Sequence, residues 1–407
     1  MLIFLTVPNI LSQGDYAQTI FISVLLSFLV VSDFGMSFVY SRKMPSIYYG
    51  GDIKQIEIHN QTFFWFRLIM SFIGSIIISS IYFFKYENIF NALLLFFINP
   101  LTIFITFFID QYSVREDFKV YKNINIKNSV ARILIIPFSY FLGMSGWIIA
   151  QLVASTLVLK SIKKDIFWGV KDLDLKLIRG YFFEGLSLLA VFFFWSQLLN
   201  SGRLFASFSF DDSLIAQYGL TNAAYSLLLT LSISIFLPAT VATLKIMQTE
   251  TKSAIEQLFS VIVKTSLLIS FVVILSIEIS PFLFEIFFPK YTIDHEILKY
   301  QLLSLMTLPF VATLGNVFQG LQHPIRLIFI NAISFGVSYI VFISMNSAGV
   351  SAAIAQCIGV NFLGILLLVS VVYFYGEFID NKYRKMLQLL AVVFLPYILY
   401  FLIRSFI

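Results

Sequence analysis

Four cationic side chains lie within or at the ends of long apolar stretches of this chain: Arg67, Arg132, Lys264 and Arg203. A Lys or Arg that is kept from water binds an anionic group such as a phosphate through charge-assisted hydrogen bonds. Arg67, Lys264 and Arg132 begin about 10 Å inside their stretches, at roughly 1.5 Å per helical residue. From this depth a long side chain can also extend back to the surface. Anion binding and surface contact are therefore the two interpretations of these cations.

Hydroxyl and amide side chains form a second set of candidates. Ser23 and Ser27 follow Thr19 at intervals of four residues, so three hydroxyls share one helix face. The later members of the set are Gln197, Asn200, Tyr218, Asn222 and Tyr225. Such groups can replace water around a hydroxyl-rich ligand, and they can equally allow helices to pack closely.

Two acids are candidates for binding a coupling ion, a proton or Na⁺. Glu184 lies in the first turns of an apolar stretch. Asp33 lies near the end of another, close to Arg42 and Lys43, so an ion pair or a helix-end contact is the competing interpretation.

Motifs for catalysis are absent from the sequence. There is no GxxxxGK[ST] motif for direct use of ATP, and the three His residues are scattered without the spacing of metal ligands. The single cysteine, Cys357, lies in an apolar run and has no partner for a disulfide within the chain. We therefore expect no enzyme activity, no cofactor and no metal.

The composition predicts that these residues are positioned by membrane-spanning helices. Of the 407 residues 59% are hydrophobic and 12% charged, and the mean hydropathy is +0.90. So few polar residues cannot cover a water-soluble globule, so the sequence predicts an all-α polytopic membrane protein. The predicted spans are 16–40, 62–84, 89–112, 126–142, 145–159, 178–200, 214–244, 257–279, 297–318, 326–345, 349–375 and 386–406. Residues 1–11 are too few for a span and predict a truncated first helix or a short re-entrant or interfacial segment.

Lys and Arg residues lie mainly in every second gap between the apolar runs. If successive gaps lie on opposite sides of the membrane, 19 of the 27 Lys and Arg residues lie on one side and four on the other. The excess predicts which gaps are cytoplasmic. The richest gaps hold Arg42, Lys43, Lys54, Arg115, Lys119, Lys122, Lys127, Lys160, Lys163, Lys164, Lys171, Lys176 and Arg179. These short basic gaps form no face for nucleic acid, which we do not expect as a partner.

An internal repeat relates the two halves of the chain. Tyr16 in GDYAQT recurs as Tyr218 in AQYGLT, and Gln151 in IIAQLV recurs as Gln356 in AIAQCI. The two offsets are similar, so we predict two parallel six-helix halves around a central cavity. The halves span residues 1–165 and 166–377, and residues 378–407 form one extra transmembrane helix.

Several motifs resemble those of polysaccharide flippases. Residues 11–44 resemble the opening of these proteins, with a Gly-x-Tyr-like turn at Gly14 and Tyr16 and an Asp-x-Gly at Asp33 and Gly35. The second half has matching segments at 217–219 and at FFPKY, 287–291. The chain departs from the family at its short start and at Gly202, where relatives often carry an Asp.

The resemblance implies an O-antigen type polysaccharide flippase of the multidrug, oligosaccharidyl-lipid and polysaccharide exporter superfamily. Such a protein moves undecaprenyl-diphosphate-linked oligosaccharide units across the bacterial cytoplasmic membrane by alternating access. Its partners would be the lipid-linked oligosaccharide, membrane lipids and other polysaccharide-assembly membrane proteins. The alternatives are a multidrug or cation antiporter of the same superfamily and a membrane glycan polymerase.

Overall fold

The computed structural model describes residues 2–162, 174–247, 250–320, 324–345, 349–379 and 381–406. Within these ranges all regular elements are helices, which confirms the all-α prediction. The chain divides into two compact units, Met1–Phe193 and Phe194–Ile407. The predicted division between residues 165 and 166, together with Lys163, Lys164 and Lys171, lies outside the described residues.

The first unit contains seven helices and most of an eighth. Their bounds are α1 Leu2–Ile10, α2 Gln13–Ser27, α3 Met36–Gly50, α4 Ile53–Tyr86, α5 Ile89–Val114, α6 Phe118–Ala131, α7 Ile135–Ser161 and α8 Leu175–Leu199. Helix α8 crosses the boundary between the units at residue 193.

The second unit contains the end of α8 and eight further helices. Their bounds are α9 Ser201–Ser209, α10 Asp212–Met247, α11 Thr251–Phe287, α12 His295–Leu303, α13 Leu308–Gly320, α14 Pro324–Ser344, α15 Ser351–Tyr375 and α16 Lys382–Phe406. Helix α16 lies within residues 378–407, for which the sequence predicts one extra transmembrane helix.

Nine helical segments in the described part of the chain are long and apolar enough to cross a membrane. The protein is therefore a multi-pass membrane protein. One of these segments, Phe118–Lys160, has 43 residues. A straight helix of that length would extend about 65 Å, roughly twice the hydrocarbon thickness of a bilayer.

This long segment is a hairpin that turns at Gly143. Gly143 has φ 58° and ψ −136°, which no helix accommodates. A Cβ added to Gly146 would lie 1.9 Å from the carbonyl oxygen of Phe138, so the two arms contact each other directly after the turn. The two predicted spans, 126–142 and 145–159, correspond to the two arms.

The predicted span 16–40 is instead two helices separated by a tight turn. Helix α2 continues as a 3₁₀ helix, Phe28–Val31, and α3 begins at Met36. Phe34 and Gly35 between them are both left-handed, with φ 51° and 75°. Hydropathy averaged over a span does not reveal this turn, because apolar residues lie on both sides of the short polar segment at Ser32 and Asp33.

Gly35 is required by both its conformation and its surroundings. A Cβ at this position would lie 2.2 Å from the carbonyl oxygen of Gly185 on α8. The Asp33 carboxylate accepts the Gly35 N–H at 3.0 Å and so fixes the turn. The turn therefore brings the chain between α2 and α3 against α8.

We expect Gly35→Ala to lower the free energy of unfolding by at least about 2 kcal/mol, because it combines backbone strain with a steric clash. The measurement is thermal or denaturant unfolding of the purified protein in detergent. Gly50→Ala is the matched control, since a Cβ at Gly50 meets nothing within 4 Å. Equal stability of the two variants would contradict the close packing at Gly35.

Candidate functional site

Arg67 lies at the centre of a buried charged cluster in the first unit. Its Nε is 3.3 Å from Asp33 Oδ2, and its Nη1 is 3.0 Å from Asp110 Oδ2. Its Nη2 donates to Thr106 Oγ1 at 3.4 Å. The guanidinium also lies over the ring of Phe63, 4.9 Å from the centroid. We call Asp33, Arg67 and Asp110 the Arg67 cluster.

The Arg67 cluster carries one negative charge when both acids are ionised. The side chains of Arg67 and Asp33 are each 7% exposed, and that of Asp110 is 27% exposed. Removing charged groups from water costs several kcal/mol, roughly, for each ion, which the pairing offsets. The excess negative charge can be neutralised by a proton or a small cation. The cluster is therefore suited to binding a cation, while the charge of Arg67 itself is balanced.

Local helix geometry brings Arg67 and Asp110 together. Helices α4 and α5 join in a short turn in which Glu87 is left-handed and the Asn88 side chain accepts the Asn91 N–H. Arg67 and Asp110 each lie about 20 residues from this turn, on antiparallel helices. That equal spacing is a signal in the sequence, although Asp110 was not among the predicted site residues.

Asp33 reaches the cluster through the turn before α3. One carboxylate oxygen accepts the Gly35 N–H, and the Ser37 hydroxyl donates to the other, which faces Arg67. The sequence suggested Arg42 or Lys43 as its partners. Both of these cations instead pair with Glu184 on α8, where Arg42 Nη1 is 3.8 Å from Glu184 Oε1. Asp33 and Glu184 remain predicted coupling-ion residues.

The other predicted cations have different surroundings. Arg132, at the junction of α6 and α7, and Lys264, on α11, are exposed. Arg203 on α9 is half-buried. Arg67 is buried among carboxylates, whereas Lys264 is exposed. Their predicted role in binding an anion stays a prediction.

The hydroxyls on α2 bond within their own helix. Ser23 donates to the Thr19 carbonyl at 2.8 Å, and Ser27 donates to the Val24 carbonyl at 2.7 Å. Both side chains are half-buried, and each oxygen keeps a lone pair that can accept a further hydrogen bond.

In the second unit, Gln356 on α15 connects the two sides of a helix break. Helix α8 ends at Leu199 and α9 begins at Ser201, leaving backbone groups without helical partners. The Gln356 amide donates to the Leu199 carbonyl at 2.7 Å and accepts the Gly202 N–H at 3.2 Å. A Cβ at Gly202 would lie 2.4 Å from Gln356 Oε1, so a side chain there would displace the Gln356 amide.

The predicted polar residues near this break are largely engaged in the fold. Gln197 is buried, and Asn200 donates to the Ser196 carbonyl at 2.9 Å. The Tyr218 hydroxyl donates to the Gly349 carbonyl at 2.8 Å and accepts the Ala353 N–H at 3.0 Å. Asn222 contacts Ser226 Oγ at 3.4 Å, and the buried Tyr225 hydroxyl lies beside Ser304 and Gln356.

Neither a protein-family model nor a curated protein sequence matches the chain. Solved structures do. An inward-facing multidrug resistance MATE family transporter of the MOP superfamily has a TM-score of 0.69 at 15% identity, covering 92% of this chain and 95% of its own. The lipid II flippase MurJ, in an inward closed conformation, has a TM-score of 0.63 at 17% identity and 95% coverage of both chains.

The chain has the fold of these transporters. A mutant of the Vibrio cholerae MATE transporter VcmN has the same fold, with a TM-score of 0.53 at 14% identity, covering 93% of this chain and 97% of its own. The likeness extends over nearly the whole length of each protein.

We expect Arg67→Met to lower the free energy of unfolding by about 3–5 kcal/mol, because it leaves buried Asp33 and half-buried Asp110 without their partner. Lys264→Met is the matched control and should change stability by less than about 0.5 kcal/mol, since Lys264 is exposed. Denaturant unfolding in detergent measures both. The triple variant Asp33→Asn, Arg67→Met and Asp110→Asn should recover most of the lost stability. Equal stability of the two single variants would contradict a buried ion-pair cluster.

Proposed function

We propose that this protein moves an undecaprenyl-diphosphate-linked oligosaccharide unit from the cytoplasmic to the outer leaflet by alternating access. The product would serve the synthesis of O-antigen or another surface polysaccharide. The observation that supports this most is the likeness of fold to a lipid II flippase over 95% of both chains. The flippase motifs around Gly14, Tyr16, Asp33 and Gly35 support it independently.

The proposal includes a location and partners. We propose the bacterial cytoplasmic membrane as the location. The lipid-linked oligosaccharide, membrane lipids and other polysaccharide-assembly membrane proteins are the proposed partners. The protein would act as a transporter rather than as an enzyme, since the sequence contains no motif for a catalytic group or a cofactor.

Exposed cations are the proposed contacts of the diphosphate. Arg132 and Lys264 are exposed, so each can pair with a phosphate without first leaving another partner in the fold. Half-buried Arg203 and the amides of Gln197 and Asn200 are proposed contacts of the headgroup. Arg67 would act indirectly, by holding the Asp33 turn, because its guanidinium already faces two carboxylates.

A strain lacking this protein should accumulate lipid-linked repeat units that face the cytoplasm. The measurement is the accessibility of these units to a membrane-impermeant sugar-modifying reagent in intact cells and in inverted vesicles. Single units that already face outward would contradict flipping and would indicate a defect in polymerisation. Unchanged glycan with altered sensitivity to toxic cations would indicate a drug antiporter instead.

The reconstituted protein should speed the transfer of a fluorescent polyprenyl-diphosphate oligosaccharide between the leaflets of a liposome. We expect the double variant Arg132→Gln and Lys264→Gln to slow this transfer at least tenfold, because two phosphate contacts are lost. The double variant Lys54→Gln and Lys122→Gln removes the same charge from other exposed positions and should retain the wild-type rate. Equal rates would contradict the proposed role of the two cations.

Cation-coupled transport is a second candidate, and the charge of the Arg67 cluster favours it. Two carboxylates face one guanidinium, so the cluster can gain a proton or Na⁺ without creating a net positive charge. In this interpretation the cluster would couple a cation gradient to transport, either of the lipid-linked oligosaccharide or of a cationic drug.

We expect Asp110→Asn to abolish the stimulation of transport by an imposed proton or sodium gradient. Transport without a gradient should continue, since Arg67 keeps Asp33 as its partner. The comparison is Glu184→Gln, which removes a predicted coupling carboxylate outside the Arg67 cluster. The measurement is the transfer rate in liposomes with and without each gradient. An unchanged response in Asp110→Asn would exclude the cluster as the coupling site, and loss of the response in Glu184→Gln alone would assign coupling to Glu184.

A further inference from the structure

An open groove runs between the two arms of the hairpin formed by α6 and α7. Its volume is about 450 Å³, and six of its seven lining residues are apolar. The first arm contributes Ile126, Val130 and Leu134, and the second contributes Leu157. All four side chains are at least partly exposed. In a membrane-spanning hairpin, exposed apolar side chains contact the acyl chains of lipids.

The one charged residue that lines the groove, within the residues that the structure describes, is Lys127. The charged side chains around the groove lie towards the open end of the hairpin, away from the turn. Lys127 is exposed and lies near the open end of the hairpin. Lys119 lies two helical turns before Ile126 on the same stripe of α6. Lys160 lies three residues beyond Leu157 on the other arm, and both lysines are exposed. Residues 133–159, which include the closed end at the turn, contain no charged side chain.

Among the described residues, two acids lie close in sequence to Lys119, and both have partners. Asp117 caps α6 by accepting the Val120 N–H at 3.2 Å, and Glu116 forms a hydrogen bond with Tyr49. The charge pattern of the sequence predicts that the open end of the hairpin faces the cytoplasm. The groove thus combines an apolar length with a cationic end at the predicted level of the headgroups.

We propose that the groove between α6 and α7 binds an anionic phospholipid of the cytoplasmic leaflet. One acyl chain lies along Val130, Leu134 and Leu157, and the phosphate pairs with Lys127. Lys119 and Lys160 add to the attraction for a net negative headgroup, which a zwitterionic lipid lacks. This inference does not depend on the transported substrate, so it can be tested independently of the proposed function.

The test is native mass spectrometry of the full-length protein, titrated in detergent with phosphatidylglycerol or with phosphatidylcholine. The wild type should retain phosphatidylglycerol in preference to phosphatidylcholine. We expect Lys127→Gln to weaken the binding of phosphatidylglycerol about fivefold, the effect of one cation on an anionic lipid. Lys54→Gln, an exposed lysine on α4, is the matched control and should change the binding less than twofold.

A second variant tests the apolar part of the groove. Val130→Trp fills it while keeping every lysine, and it should reduce the retention of phosphatidylglycerol at least as much as Lys127→Gln. Both variants should unfold at the wild-type temperature. Equal binding by Lys127→Gln and Lys54→Gln, equal retention of the two lipids by the wild type, or full retention by Val130→Trp would each overturn the proposal. Displacement of phosphatidylglycerol by a tenfold lower concentration of undecaprenyl diphosphate would also overturn it, by assigning the groove to that lipid.

Discussion

The balance of charge around Arg67 is the constraint on which the first unit depends. A guanidinium between apolar helices requires carboxylates within reach, and Asp33 and Asp110 supply them from two other segments. Asp33 can face Arg67 only because the chain makes a left-handed turn at Gly35. The left-handed turn is possible only because Gly35 has no side chain to collide with Gly185. One buried charge thus connects α4 and α5 with the turn before α3 and, through that turn, with α8.

The second unit solves a related problem with an uncharged group. At the break between α8 and α9, the Gln356 side chain takes the place of a backbone amide, because it both donates to a free carbonyl and accepts from a free N–H. A neutral amide costs less to bury than an ion, and its two hydrogen bonds satisfy the broken helix. The sequence repeat includes Gln356, and the contact with Gly202 explains why glycine is accommodated there. The two units therefore use different chemistry to stabilise non-helical backbone within apolar surroundings.

Most of the helices could be predicted from the sequence, whereas their interruptions could not. The predicted spans agree with the observed helices because about 20 apolar residues in a row have few alternatives to a membrane helix. The run 16–40 was predicted as one span and is two helices, because the turn at Phe34 and Gly35 depends on the Asp33 carboxylate rather than on hydropathy. The run 297–318 contains a 3₁₀ segment, Ser304–Thr307, that hydropathy also fails to detect. Composition reports which residues avoid water, and breaks depend on individual hydrogen bonds.

The sequence by itself determined that this is an all-helical membrane protein, and it identified Arg67 and Asp33 as residues of interest. It did not determine what each charge contacts. Only the tertiary structure decided that Arg67 faces Asp33 and Asp110, that Glu184 pairs with Arg42 and Lys43, and that Lys264 is exposed. The physical reason is that hydrophobicity acts on each residue through its own transfer from water. An ion pair depends instead on the distance between two groups that the chain separates by many residues, and the packing of the helices sets that distance.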